Sequence, residues 1–269
     1  MFGFKRRRRE RLKETPLSAA AGAIVARNMP YFRYLSADEQ RKLLGFIQVF
    51  LSEKSFEGCG GLKLTDEIRL TVAAHACLLL LHREEDFYPN LCSVLVYPAS
   101  FSVRTVQHPV GPFTEEQSEI RVGEAWQRGV VILAWDGVLR GAQGEHDGFN
   151  VVLHEFAHQL DMENGAADGY PGFRDRALAE RWPGIMSEAY ERALKGLEEG
   201  RGPLVGRYGV RSPSEFFATL TECFFERPHS FKAWESAVYE LFTAFYQQDP
   251  SKRIPPEREF AAERLGNGA

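Results

Sequence analysis

No apolar run in the chain approaches the roughly 20 residues that a membrane-spanning helix needs, so no span is expected. Cysteine is scarce: Cys59, Cys77, Cys92 and Cys223 include no C-x-x-C pair, which removes finger-type metal sites and dithiol redox motifs. Three of the four sit in apolar or aromatic stretches and read as reduced core thiols, the state that a cytoplasm maintains. An excess of one charge is also missing. Lys+Arg 33 against Asp+Glu 37 leaves a formal charge of -4, so the molecule as a whole offers no electrostatic footprint for nucleic acid. No internal repeat is present, and the Pro/Gly-rich stretches are too short to serve as domain linkers. The nearest approach to an export signal is Ala19 to Ala26. It is short, weakly hydrophobic and closed by Arg27 without a convincing cleavage site, so a cytoplasmic location is expected.

What the chain does have is 44% hydrophobic and 12% aromatic residues, sufficient to bury a large core. Ser36-Ala37-Asp38-Glu39 is a capping-box pattern, followed by Leu43, Leu44, Ile47, Phe50 and Leu51 on one helical face as far as the breaker Gly58-Cys59-Gly60-Gly61. Thr65 can cap a second helix that runs through the apolar segment Val72 to Leu81. Val94 to Tyr97 and Gly129 to Trp135 read as short strands, separated by a stretch that is polar from Gln107 to Gly123. Helical patterning returns over Val151 to Met162, Phe173 to Leu197, Ser214 to Glu226 and Ala233 to Gln247. The expected architecture is α+β, mainly helical, with a small mixed sheet between helical layers. One domain spans 15–250, between a flexible basic tail at 1–14, seven positive charges within Lys5 to Lys13, and a C-terminal tail at 251–269.

The informative segment is Val152-Leu153-His154-Glu155-Phe156-Ala157-His158-Gln159-Leu160-Asp161, an H-E-x-x-H free of Gly and Pro. Residues four apart on a helix have Cβ atoms about 5–6 Å apart, so the imidazoles of His154 and His158 can reach one ion. Glu155 is rotated about 100° from His154, where its longer side chain can reach a metal-bound water without taking a coordination position. A catalytic zinc has three protein ligands and one open position, so a third ligand must come from elsewhere. Asp161 lies on the same face, but a third ligand seven residues from His154 spans about 10 Å of rise, and it is better placed to orient a histidine or the neighbouring loop. Glu215, at the start of a later helix, and Glu222, two turns on along the same face, both remain candidates. Tyr208, in a Gly/Pro-containing loop before that helix, can donate to a developing oxyanion or be an ordinary core or surface residue. His75 lies in an apolar helix as a core residue, while His82, His108, His146 and His229 are isolated near loops or element ends. The strand Val130 to Ala134 is either a core strand or an edge that pairs with an extended substrate.

The segments Phe56 to Gly61, Val130 to Trp135, Asn150 to Asp161 and Tyr208 to Glu226 resemble the Mlc titration factor A family of zinc metallopeptidases over roughly residues 1 to 250. That family in turn resembles the catalytic domain of anthrax lethal factor, so a zincin-like fold is implied. The resemblance places Ser214-Glu215-Phe216-Phe217 on the segment that carries the third zinc ligand, favouring Glu215 over Glu222, and it puts Tyr208 at the reaction centre. It further implies a cytoplasmic, aminopeptidase-like enzyme with one Zn2+ per chain, acting on peptide or protein substrates. It also implies a link to sugar uptake through a Mlc-like transcriptional repressor, with no direct nucleic-acid contact. The rival expectation is a binding protein in which zinc holds the fold and the function is to sequester a transcription factor. A third is contact of the basic arm with acidic lipid or nucleic acid.

Overall fold

The computed structural model describes residues 2–83, 86–99, 129–143, 147–201 and 204–256. The polar stretch from Gln107 to Gly123, His108 and His146 lie outside the described residues.

Helices α1 (Phe2–Glu14) and α2 (Ala19–Asn28) precede α3 (Ala37–Glu53), which leads into strand β1 (Ser55–Gly58). The capping box is complete: Glu39 N–H donates to Ser36 Oγ, and Ser36 N–H donates to the Glu39 carboxylate. Helix α4 (Asp66–Leu78) is capped by Thr65, whose hydroxyl accepts from Ile68 N–H, and it is buried over almost its whole length. It crosses from β1 to β2 (Ser93–Tyr97), and β3 (Val130–Ala134) follows. Among the described residues the sheet has three strands in the order β1-β2-β3, all parallel, with Ser55 opposite Ser93 and Ser93 opposite Val130. The mixed sheet of the sequence reading is therefore parallel in its described part, because a helical crossover brings β2 back in the direction of β1. The sequence reading also missed β1. Its glycine breaker is the turn that ends this strand: a Cβ on Gly58 would stand 2.1 Å from Leu62 O.

Chain then enters α5 (Trp135–Gln143) directly from β3, followed by α6 (Val151–Asp161), α7 (Arg176–Glu198), α8 (Pro213–Glu226), α9 (Pro228–Trp234) and α10 (Ser236–Tyr246). The helix expected over Ala233 to Gln247 is α10, which begins at Ser236, while Ala233 and Trp234 end the preceding α9. Two aromatic clusters fix where α6 and α8 sit. Behind α6, Phe156 packs on Phe50 and Tyr88 at 5.6 and 4.9 Å between ring centroids. Behind α8, Phe217 packs on Trp182, Phe242 and Phe245. These rings bury the outer faces of both helices and turn their polar faces toward each other.

The two ends of the described chain depart from the expected tails. Residues 2–14 form a helix docked on α3, in which the Arg9 guanidinium makes two 2.7 Å hydrogen bonds to Glu53 and lies 4.9 Å over the Phe87 ring. Gly45 allows this approach, since a Cβ there would meet Lys13 O at 2.7 Å. A charged helix with little apolar content docks here through Arg9, which pairs with Glu53 and Asp86, and through Leu12, whose carbonyl accepts from Gln48, partners that no local pattern can reveal. At the other end Ile254 is buried, and Arg253 makes a bidentate pair with Glu39 at 2.6 and 2.9 Å.

Burial alone would raise the Glu39 carboxyl, but Arg253, the Ser36 N–H and His82 outweigh it and hold it at about 2, against an ordinary 4.5. A depressed carboxylate stabilises the fold above its unfolded pKa and ceases to do so as pH falls toward the folded value. Glu39→Gln is therefore expected to lower stability by about 2 kcal/mol at pH 7, with allowance for partial exposure. That gap should narrow as pH falls from 4.5 toward 2. Urea midpoints of both proteins across this range check it, and a pH-independent gap would mean that the charge contributes nothing.

Candidate metal centre

Asn150 caps α6: its side-chain oxygen accepts from Leu153 N–H at 3.1 Å, and the helix then carries His154 and His158 on one buried face. Ser212 caps α8 in the same way, accepting from Glu215 N–H at 3.2 Å, and Pro213 occupies the first turn, where its missing N–H costs nothing. The two helices face each other, so the first turn of α8 lies across the imidazoles of α6.

His154 Nε2 stands 3.2 Å from His158 Nε2 and 3.1 Å from Glu215 Oε2, and His158 Nε2 is 3.5 Å from Glu215 Oε1. One ligand atom from each of these residues lies within 4.8 Å of the others, the one group of three or more metal-ligating side chains this close among the described residues. The remaining ring nitrogens are occupied. His154 Nδ1 is 2.8 Å from Glu222 Oε1, and His158 Nδ1 is 3.0 Å from Ser214 Oγ. Ser214 Oγ in turn donates to Asp161 Oδ2 at 2.8 Å, leaving its lone pairs for the His158 Nδ1 proton. With protons on both Nδ1 atoms, both Nε2 lone pairs point into one space beside a carboxylate. Three electron-pair donors converging there repel one another unless a cation lies between them, and two imidazoles plus one carboxylate are a donor set suited to a divalent transition metal.

The titration of the groups reflects the same demand for positive charge. Burial disfavours the His154 imidazolium, but Glu215 and Glu222 overcome it and raise the pKa to about 10. At His158 burial prevails over Glu215 and lowers it. Burial opposes the Glu215 carboxylate, yet the two histidines hold it well below the usual carboxylate range.

Glu222 takes its place outside this triad. Its Oε2 accepts from Asn150 N–H at 2.6 Å while Oε1 holds His154 Nδ1, so it orients the ring and ties α8 to the start of α6. Asp161 orients His158 through Ser214 and binds the neighbouring loop by accepting from Gly169 N–H at 2.9 Å. Burial raises the Asp161 carboxyl to about 6 against the hydrogen bonds of Gly169 and Ser214. Glu155 is half-buried and lines, with His154, a cleft of about 440 Å³. Tyr208 stands at the same cleft, 48% exposed, its ring 5.8 Å from that of His154 and 5.0 Å from the Arg211 guanidinium. All five residues singled out in the sequence are thus in one neighbourhood: three converge, and two line the cleft beside them.

Ser214, Arg140 and Phe149 were not found from the sequence. A serine beside a candidate ligand is an ordinary helix-start residue, and Arg140 and Phe149 belong to segments whose proximity to α6 depends on packing. The other described histidines are engaged elsewhere: His75 Nδ1 bonds Thr71 O, His82 pairs with Glu39, and His229 bonds Ile254 O. None of the four cysteines is disulfide-bonded. No helix of the described residues is long and apolar enough to cross a membrane.

Comparison with known proteins agrees with this chemistry. The model of the family described as glucose-regulated metallo-peptidase M90 matches residues 4–247. An uncharacterized protein of Synechocystis is 39% identical over 244 residues, covering 90% of this chain and 89% of that protein. Mlc titration factor A of Klebsiella pneumoniae is 32% identical over 229 residues, and that of Salmonella agona 31% over 234, each covering 84% of this chain and 85% of the relative. A motif for metal-assisted hydrolysis, two buried histidines and a partly buried glutamate able to hold an ion, and a match over nearly the whole chain together mean that this protein belongs to the glucose-regulated metallopeptidase family M90, with the Mlc titration factor A proteins among its relatives.

Proposed function

We propose that the protein is a zinc-dependent peptidase in which His154, His158 and Glu215 hold the metal, Glu155 is the general base and Tyr208 stabilises the oxyanion. The observation that carries this reading is the convergence of two Nε2 atoms and a carboxylate beside a cleft that Glu155 lines. A zinc ion held by these three residues would supply the Lewis acidity that activates water and polarises the scissile carbonyl. Glu155 accepts the proton of the attacking water and returns it to the leaving amine, a transfer that its half-buried position next to His154 favours. The Tyr208 phenol donates to the carbonyl oxygen as negative charge develops on it. Glu222 and the Ser214–Asp161 pair keep the two imidazoles in the tautomer that presents Nε2 inward.

The activity proposed is aminopeptidase-like, on peptide or protein substrates in the cytoplasm. Metal analysis of the purified protein, beside hydrolysis of paired free and N-blocked chromogenic peptides, tests it. One zinc per chain with turnover of the free peptides alone is the expected outcome. Equal turnover of blocked peptides would remove the aminopeptidase assignment, and a chain that binds no metal would overturn the reading.

The relatives' name favours a second role, in which the protein binds a Mlc-like transcriptional repressor and so bears on sugar uptake. If sequestration by a zinc-stabilised fold were the whole function, capture of such a repressor would survive Glu155→Gln while no peptide was cleaved by the wild-type protein.

A further inference from the structure

We propose that Arg140 is a specificity-determining residue that binds a carboxylate of the substrate within the catalytic cleft. This rests on the peptidase reading for the identity of the occupant. Arg140 lies on α5 and lines the same cleft as His154 and Glu155, with its side chain exposed. Other arginines of the fold are paired with acids: Arg9 with Glu53, Arg192 with Glu235, Arg253 with Glu39. Arg140 has no acidic partner among the described residues, so five N–H donors in a planar fork are offered to whatever enters the cleft.

The remaining charges of the cleft make this cation distinctive. Among the described residues Arg140 is the sole arginine or lysine that lines it; the acids there are Glu155 and Glu222. Both Glu222 oxygens already accept hydrogen bonds from His154 and Asn150, and Glu155 is assigned to the proton. An anionic group of a substrate is therefore drawn to Arg140 and repelled from the acids, which fixes the direction in which a peptide lies. The base of the side chain is also held firmly. Helix α5 continues straight from β3, and Gly141 brings it so close to α6 that a Cβ would stand 3.0 Å from Asn150 Cα. A guanidinium carried on this fixed base recognises a carboxylate through two parallel hydrogen bonds. Phe149, 69% exposed, lines the same cleft and offers apolar surface to the adjoining part of the peptide.

The carboxylate has two sources: an Asp or Glu side chain flanking the scissile bond, or the free C-terminus of a short peptide. Matched peptides carrying Glu or Gln on either side of the bond, and short peptides with free or amidated C-termini, separate them. With the wild-type holoenzyme the carboxylate member of at least one pair is expected to have about tenfold higher kcat/KM, in line with a partly exposed charge-assisted pair. In Arg140→Ala that ratio should fall to near one, and in Arg140→Glu it should invert, with zinc content unchanged in both. A response confined to the side-chain pairs assigns an acidic residue, and one confined to the C-terminal pairs assigns short peptides. A ratio that neither substitution alters overturns the proposal. Calorimetric titration of Glu155→Gln with the same peptides decides the matter even if nothing is hydrolysed, the result that would sink the peptidase reading instead. Tighter binding of the carboxylate member, lost when Arg140→Ala is added, supports the role of Arg140; equal or undetectable binding of both members overturns it.

Discussion

Glu155→Gln is expected to retain a full complement of zinc while kcat falls about a thousandfold, the order of effect of losing a positioned general base. The two halves of this outcome follow from different parts of the site. Glu155 is not among the three residues whose ligand atoms converge, so the amide leaves the metal donors untouched. It does line the cleft next to His154, where an amide cannot accept a proton from water. The substitution preserves volume and helix propensity on α6, so a change in fold is not expected to confuse the reading. Elemental analysis and turnover of the same preparation check both halves. A variant that cleaved peptides at the normal rate would remove Glu155 from proton transfer, and one that lost its zinc would make Glu155 a ligand.

Glu215→Ala is expected to weaken zinc retention by more than about a hundredfold, and Glu222→Gln by about ten- to a hundredfold, as for residues that act on a metal through its ligands. The ranking rests on geometry. Glu215 reaches the inward Nε2 atoms at 3.1 and 3.5 Å, whereas Glu222 reaches the outward Nδ1 of His154 and the backbone of Asn150. Removing Glu215 leaves two imidazoles, too few donors for a stable site. Removing the charge of Glu222 leaves three donors but frees the His154 ring to turn. Competition with a zinc chelator, with circular dichroism as the check on folding, measures both. The opposite ranking would put Glu222 on the metal and Glu215 outside it.

Much of the local structure was legible because it is set by neighbours in sequence. The Ser36 capping box, the Thr65 cap and the apolar stripe of α3 each involve residues a few positions apart, and each forms as the pattern implies. The same locality explains the misses. Helix α1 reads as a mobile tail because nothing within it supplies a core, yet Arg9 docks on Glu53. Strand β1 is four residues long with a glycine at its end, too short for alternation to register, and it exists because β2 lies beside it. The break between α9 and α10 likewise has no strong signal in the sequence, and Glu235 stands between them outside the helical region, at φ -146° and ψ 82°.

The sequence by itself determined which side chains α6 presents together. Two histidines four apart on a helix face one way whatever surrounds them, and the glutamate between them is rotated to one side by the same geometry. Periodicity leaves Glu215 and Glu222, which lie on one face of α8, both open as candidate third donors, and the resemblance favours Glu215. Only the tertiary structure decided between their positions. The aromatic rings behind α6 and α8 fix the offset of the two helices, and that offset sets the first turn of α8 against the Nε2 atoms and its third against Nδ1. The same packing brought Ser214 to His158 and Arg140 to the cleft, since contacts between residues dozens of positions apart depend on how faces are buried and not on any local pattern.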